Sequence, residues 1–175
     1  MSEQWRALKN IDEHCFGCGQ NNPNGLQMKF FTNEEKLRSD IVIPQHLRGW
    51  SNLVHGGVIT TMLDEMMGWT GIYFLNRFLL TKDIKVNFRL PVFINESVTI
   101  HGWVAEQKSD RRVTLAAELV NSKGQVAAKA EGDFALFEPE KFARMELVPA
   151  DHLQRMEGMF SSAQTGQQAC CSEDS

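Results

Sequence analysis

The sequence predicts an α+β domain, a single curved antiparallel sheet wrapped around one long central helix. Two observations carry this expectation. The run VITTMLDEMMGWTGIYFL is apolar on nearly every side over the length of a long helix, so it needs cover all round. From Leu80 onward the hydrophobic period drops to two, and four consecutive strands follow where only two precede the helix. That order suits one sheet curling over one helix. It also leaves one side of the helix, or an edge of the sheet, in need of cover, which an oligomer supplies.

In chain order, residues 1–14 are a polar lead-in with room for a helical turn around Trp5 and Leu8. Residues 15–25, CFGCGQNNPNG, are dense in Gly, Asn and Pro and read as a structured loop. Leu26 to Thr32 reads as a strand, Asn33-Glu34-Glu35 as a turn and Lys36 to Ile43 as the partner strand. Residues 44–54 are irregular. The helix then opens after His55 with Gly56-Gly57. Val58, Met62, Met66 and Trp69 recur at helical spacing, as do Ile59, Leu63 and Met67; β-branched residues and Gly68 weaken local propensity, so burial must hold the helix.

Beyond it, Ile84, Val86, Phe88 and Leu90 alternate with Asp83, Lys85, Asn87 and Arg89, a strand with one wet face. Ser97–Glu106, Arg111–Asn121 and Gln125–Phe137 complete the strands, with hairpin turns at Ser109-Asp110 and Asn121-Ser122-Lys123-Gly124. The main domain therefore spans 15–138. A C-terminal helical extension covers 139–160, with short helices at Pro139–Met145 and Ala150–Phe160. Residues 161–175 have almost no apolar content and are expected to be disordered.

The bulk numbers exclude several classes. A chain of 175 residues suits one domain, and 42% hydrophobic with 23% charged residues is an ordinary globular balance. A net charge of -4 gives no reason to expect nucleic acid, although a local basic patch can still hold an anion. No apolar run spans a bilayer, and the N-terminus lacks a secretion pattern, so no membrane is expected and a cytoplasmic location is. There, Cys15, Cys18, Cys170 and Cys171 would be free thiols. Cys15 and Cys18 form C-x-x-C beside His14. A zinc knuckle needs four ligands and the other cysteines lie in the tail; a thioredoxin-like context is also missing. The expectation is a packed loop, with no metal and no cofactor.

The chemistry-bearing stretch is His55-Gly56-Gly57-Val58-Ile59-Thr60-Thr61-Met62-Leu63-Asp64-Glu65. Two glycines at a helix start leave its first amides sterically open, where they can polarise a carbonyl; they also simply allow a tight turn. Asp64 sits deep in the apolar run. A carboxylate there costs several kcal/mol unless paired, solvated in a cleft or protonated, and burial would raise its pKa towards base or nucleophile work. The Gly56 amide and Asp64 lie roughly 12 Å apart along one helix, too far to share a carbonyl. If both act, they come from two chains whose helices run antiparallel across a twofold axis.

These residues resemble a known family. GWSNLVHGGVITTMLDEMMGW is similar to the signature of the PaaI-like hotdog acyl-CoA thioesterases, and CFGCGQNNPNGLQMKF to the leader of one of its branches, over about residues 15–137. The resemblance implies a hotdog fold assembled as a homodimer or homotetramer. It implies hydrolysis of acyl-CoA thioesters, with Asp64 as general base or nucleophile and the Gly56 amide as oxyanion donor. His55 would shape the start of the helix, and Thr81, matched by its distance from Pro91, would help place the water. Some relatives carry Asn or Gln six residues before the histidine; here that position is Gly49, with Asn52 nearby. Glu65 is the carboxylate other hotdog enzymes would use, yet adjacent helix positions diverge by about 100°, so only one of the pair can aim at a given site.

Gly57, Asn52, Glu65, Lys82, Arg89 and Arg111 are the substrate-binding candidates, the cations among them for CoA phosphates; Lys85, Arg112 and Lys123 are weaker ones. Two other readings stay open: a hotdog enoyl-CoA hydratase or dehydratase, and a non-catalytic acyl-CoA binding protein.

Overall fold

The computed structural model describes residues 4–10 and 12–156. The disordered-tail expectation, residues 157–160 of the extension, and Cys170 and Cys171 lie outside that range. Seven strands form one antiparallel sheet: β1 (Arg6–Ala7), β2 (Phe31–Thr32), β3 (Leu37–Val42), β4 (Phe78–Phe88), β5 (Ser97–Ser109), β6 (Arg112–Val120) and β7 (Val126–Phe137). Their spatial order is β1-β2-β3-β5-β6-β7-β4. Between β3 and β4 runs α1 (Gly56–Leu75), which carries the chain across the sheet to its far edge. This is the hotdog architecture. Four register irregularities, at 81/83, 104/106, 107/109 and 119/120, interrupt the ladders, and bulges of this kind bend strands.

The helix is held by burial, as its composition requires. Met62, Leu63, Met66 and Met67 are fully buried against Leu37, Ile100, Val113, Leu115, Leu119 and Phe134 of the sheet. Trp69 stacks on Phe30 with centroids 4.6 Å apart. His55 caps the N-terminus in an extended conformation, and Asn76 closes the C-terminus in the left-handed region (φ 51°, ψ 48°), a role glycine or asparagine fills. Close approach of helix to sheet depends on Gly102 in β5. A Cβ there would lie 2.4 Å from Thr70 Oγ1 and 2.7 Å from Met66 Cγ.

Several local expectations are corrected. No helical turn forms around Trp5 and Leu8; Arg6–Ala7 is a short strand on β2. Only the last two residues of Leu26–Thr32 join a ladder. The burial alternation of Leu26, Met28 and Phe30 is present, but Leu26 and Met28 donate to Phe16 O and Gly17 O, so the leader loop takes the hydrogen bonds a strand partner would have taken. In β4, Ile84 and Val86 are only partly buried, Leu80 and Phe88 are 39% and 52% exposed, and Leu90 just beyond the strand is 39% exposed. Among the described residues β4 pairs only with β7, so this apolar strand is an open edge.

The segment after β7 folds back. Phe142 of α2 (Pro139–Ala143) stacks on Phe78 at 4.7 Å, and Leu153 of the helical segment 150–156 completes that cluster.

The tight α1–β5 contact gives a test. Gly102→Ala should destabilise the protein by about 1–3 kcal/mol, because Met66 and Thr70 must move to admit one methyl group. Denaturant unfolding checks this; unchanged stability would mean that the helix has room to retreat.

Candidate active site

The N-terminus of α1 spends its amides unequally. Gly57 N–H donates to His55 Nδ1 at 3.0 Å, and the Val58 and Ile59 amides both reach His55 O. The Gly56 amide has no acceptor among the described residues, and the nearest side chain to its Cα hydrogen is Phe88, 3.7 Å from an added Cβ. So the cap occupies Gly57 and leaves Gly56 as the open donor at the positive end of a 20-residue helix. His55 is exposed and acts as a cap.

Two turns further on, Asp64 faces a cavity of about 210 Å³ with apolar walls that include Trp69, Ile72, Leu79 and Phe134. Its Oδ1 accepts a hydrogen bond from Thr81 Oγ1 at 3.0 Å. Burial raises the Asp64 pKa above the usual carboxylate value, while the Thr81 hydroxyl pulls the other way. A β-bulge makes this pair possible. Counting back by twos from Phe88, Val86 and Ile84 would put Thr81 on the wet face with Asp83 and Lys85. Thr81 instead stands opposite Phe134 and Asp83 opposite Asp133, so Lys82 is the extra residue that turns the hydroxyl towards the helix.

Glu65 lines the same cavity. The adjacent carboxylates take different partners, as their divergence on the helix requires, yet both border one cavity. The two diverge, but to different walls of one space: Asp64 to β4, Glu65 to the leader loop. Glu65 Oε1 accepts from Trp69 Nε1 at 3.3 Å and lies 3.6 Å from Cys15 Sγ. Burial, then the nearby Cys15, push its pKa up to about 7. Cys15 is held low, to about 5, chiefly because the Cys18 thiol donates to it; Cys18, buried and donating, is driven up. Gly17 is packed so closely that a Cβ would sit 2.4 Å from the Glu65 carboxyl carbon. Sequence reading left Cys15 and Cys18 as loop packing; their meeting with a residue fifty positions away had no local signal.

The remaining candidates are dispersed. Asn52 borders a separate depression with Gln45, Arg48 and Asn95. Arg111 lines another, beside Glu138 and Lys141. Lys82 and Arg89 are exposed on or just beyond β4, without ion-pair partners among the described residues.

A curved antiparallel sheet enclosing a single helix, with a carboxylate of that helix facing a cavity, defines a hotdog-fold protein. Residues 51–128, from the loop before α1 into β7, match the model of the thioesterase superfamily. Among solved structures it is similar to the thioesterase superfamily protein RHA08564, at 20% identity and a TM-score of 0.64 over 74% of this chain and 66% of that one. It is similar to the E. coli PaaI protein from the phenylacetic acid degradation operon, at 15% identity and a TM-score of 0.59 over 65% and 81%. It is also similar to smu.793 of Streptococcus mutans bound to acetyl CoA, at 16% identity and a TM-score of 0.53 over 58% and 80%. At such identities these likenesses establish the fold. No curated protein matches the chain significantly.

The burial of Asp64 has a stability signature. Its folded-state pKa is raised, so the fold favours the protonated form; the favourable contribution is full below the unfolded pKa and is lost as pH rises through the folded value. Asp64→Asn, which keeps an acceptor for Thr81, should therefore raise the unfolding midpoint by about 1–3 °C at neutral pH and by nothing in acid, below the ordinary aspartate pKa. A gain equal at both pH values would show that the carboxylate is not desolvated.

Proposed function

We propose that the protein hydrolyses acyl-CoA thioesters, with Asp64 activating the attacking water. The match of residues 51–128 to the thioesterase superfamily model supports thioester hydrolysis in general. The observation that carries the specific reading is the half-buried Asp64 carboxylate, held by Thr81 through one oxygen at the wall of an apolar cavity. In the proposed step a water oxygen attacks the thioester carbonyl carbon while Asp64 takes its proton. The carbon–sulfur bond then breaks, and Asp64 returns the proton to the departing CoA thiolate. Free acid and CoA result, and no cofactor is required. The acetyl CoA bound by the smu.793 structure is consistent with a CoA ester as ligand.

The oxyanion donor on this reading is the open Gly56 amide, supplied by a second copy of the chain, because the two groups are roughly 12 Å apart on one helix. An open β4 edge carrying partly exposed Leu80 and Phe88, with Leu90 just beyond it, supports such a homodimer, since an unpaired apolar edge strand is a template for another. Phe88 lies beside Gly56, so that edge and the helix N-terminus form one surface. The long CoA moiety would run over the outside of the dimer, where Lys82, Arg89 and Arg111 are candidates for its phosphates.

Asp64→Ala should lower kcat for an acyl-CoA by roughly a hundredfold or more, followed by release of free thiol; turnover near wild type would overturn the assignment. Gly56→Pro removes the donor at low cost to the helix, since proline suits a first helical position and His55 is already extended. Co-expressed with Asp64→Asn chains, it should restore about a quarter of wild-type activity, one live site in each mixed dimer. A mixture as inactive as both parents would exclude a two-chain site.

Thr81→Val removes a donor that stabilises the ionised carboxylate. The acidic limb of the kcat/KM profile should move to higher pH, with a rate loss on the order of tenfold. A limb that stays in place would detach Thr81 from the titrating group.

A further inference from the structure

The leader loop and α1 bring together three groups that thioester hydrolysis leaves unused. The ligand atoms of Cys15, Cys18 and Glu65 all lie within 4.8 Å of one another. We propose that they form a binding site for a thiophilic divalent cation of the zinc class, with the fourth coordination position open to the cavity that Asp64 lines.

Spacing is the first argument. In a tetrahedral site with zinc–sulfur and zinc–oxygen bonds of about 2.3 and 2.0 Å, neighbouring sulfur and oxygen ligands stand about 3.5 Å apart. Cys15 Sγ and Glu65 Oε1 are separated by 3.6 Å. That pair already stands at the separation the complex needs.

The second argument is the local preparation of each ligand. The Gly17 amide donates to Cys15 Sγ at 3.3 Å, and Gly19 N–H donates to Cys15 O at 2.9 Å. These bonds fold C-F-G-C into a turn that presents both sulfurs to one point, and the first satisfies a lone pair on a charged thiolate. The Trp69 indole fixes Glu65 from outside the cluster, as outer partners of metal ligands do.

Charge is the third. Once deprotonated as ligands, two thiolates and a carboxylate carry three negative charges, and no lysine or arginine pairs with Glu65 among the described residues. A dication neutralises most of this and so can take the place of the protons that burial otherwise holds on the cluster. The sequence argument against zinc was the lack of further ligands near C-x-x-C; Glu65 of α1 supplies a third.

Three protein ligands with one open position are the arrangement of exchangeable zinc sites rather than closed ones. Cys15, Cys18 and Glu65 all line the Asp64 cavity, so the open position faces it. Binding displaces the Cys18 thiol proton, and any proton on Glu65, to solvent, with no change of oxidation state. The ion would clamp the leader loop to the central helix.

The test uses the full chain, reduced and stripped with a chelator. Titration with zinc should show one ion per chain with release of protons, and a higher unfolding midpoint. Cobalt should give the intense sulfur-to-metal absorption of a thiolate complex. Cys15→Ser with Cys18→Ser should abolish that absorption, and Glu65→Gln, which keeps the shape of the side chain, should weaken zinc binding on the order of tenfold or more. Cys170→Ser with Cys171→Ser should change neither. Absence of stoichiometric binding, an unaltered affinity in Glu65→Gln, or loss of the signal in the tail variant would each overturn the proposal. None of these readouts involves thioester cleavage, so the outcome is independent of the catalytic reading.

Discussion

Two neighbouring carboxylates lie within a helix that has almost no other polar surface, and each must find a partner that the helix cannot supply. Asp64 and Glu65 point to opposite walls of one cavity, and the structure around them is organised by that demand. On one side a strand gains an extra residue so that a hydroxyl reaches Asp64. On the other, a glycine without room for a methyl group lets the leader loop press two thiols against Glu65. The apolar remainder of α1 fills the sheet's concave face and keeps water from solving the problem more cheaply. Desolvation thus gives Asp64 its basicity and draws Glu65 towards neutrality.

The same helix carries its second candidate feature at its beginning. His55 satisfies the amide that follows and leaves the first one open, which gives the terminus a single directed donor. The roughly 12 Å between that donor and Asp64 cannot be shortened within one chain, because the rise of an α-helix is fixed. On the proposed reading, separation along one rod and an uncovered apolar edge beside it are two aspects of one need for a second copy.

Sequence reading reached the architecture because its signals are periodic. The change from helical to alternating spacing after Leu80 located α1 and β4, and Asn33, Ser109 and the Asn121–Gly124 stretch marked the turns. It reached Asp64 because an acid in an apolar run is costly wherever it lies. It missed what depends on contacts remote in sequence. The strand from Leu26 has the right alternation but spends its hydrogen bonds on Phe16 and Gly17. Alternation alone turns Thr81 outward; only the resemblance to a family pointed to it, and the bulge that turns it inward has no residue-type signature at Lys82. The convergence of Cys15 and Cys18 on Glu65 was invisible for the same reason, and the unfilled face of β4 looks in sequence like any buried strand.

The rim of the cavity has a consequence of its own. Asp12 and Asn10 from the leader and Met156 from the C-terminal segment all border it, and His152 reaches Asp12 at 3.3 Å. That segment is anchored mainly by Phe142 and Leu153 on Phe78, a small cluster apart from the main core. Peripheral units of this size detach at a fraction of the free energy of global unfolding. The stretch of rim that this segment supplies can therefore loosen locally while sheet and helix keep their places.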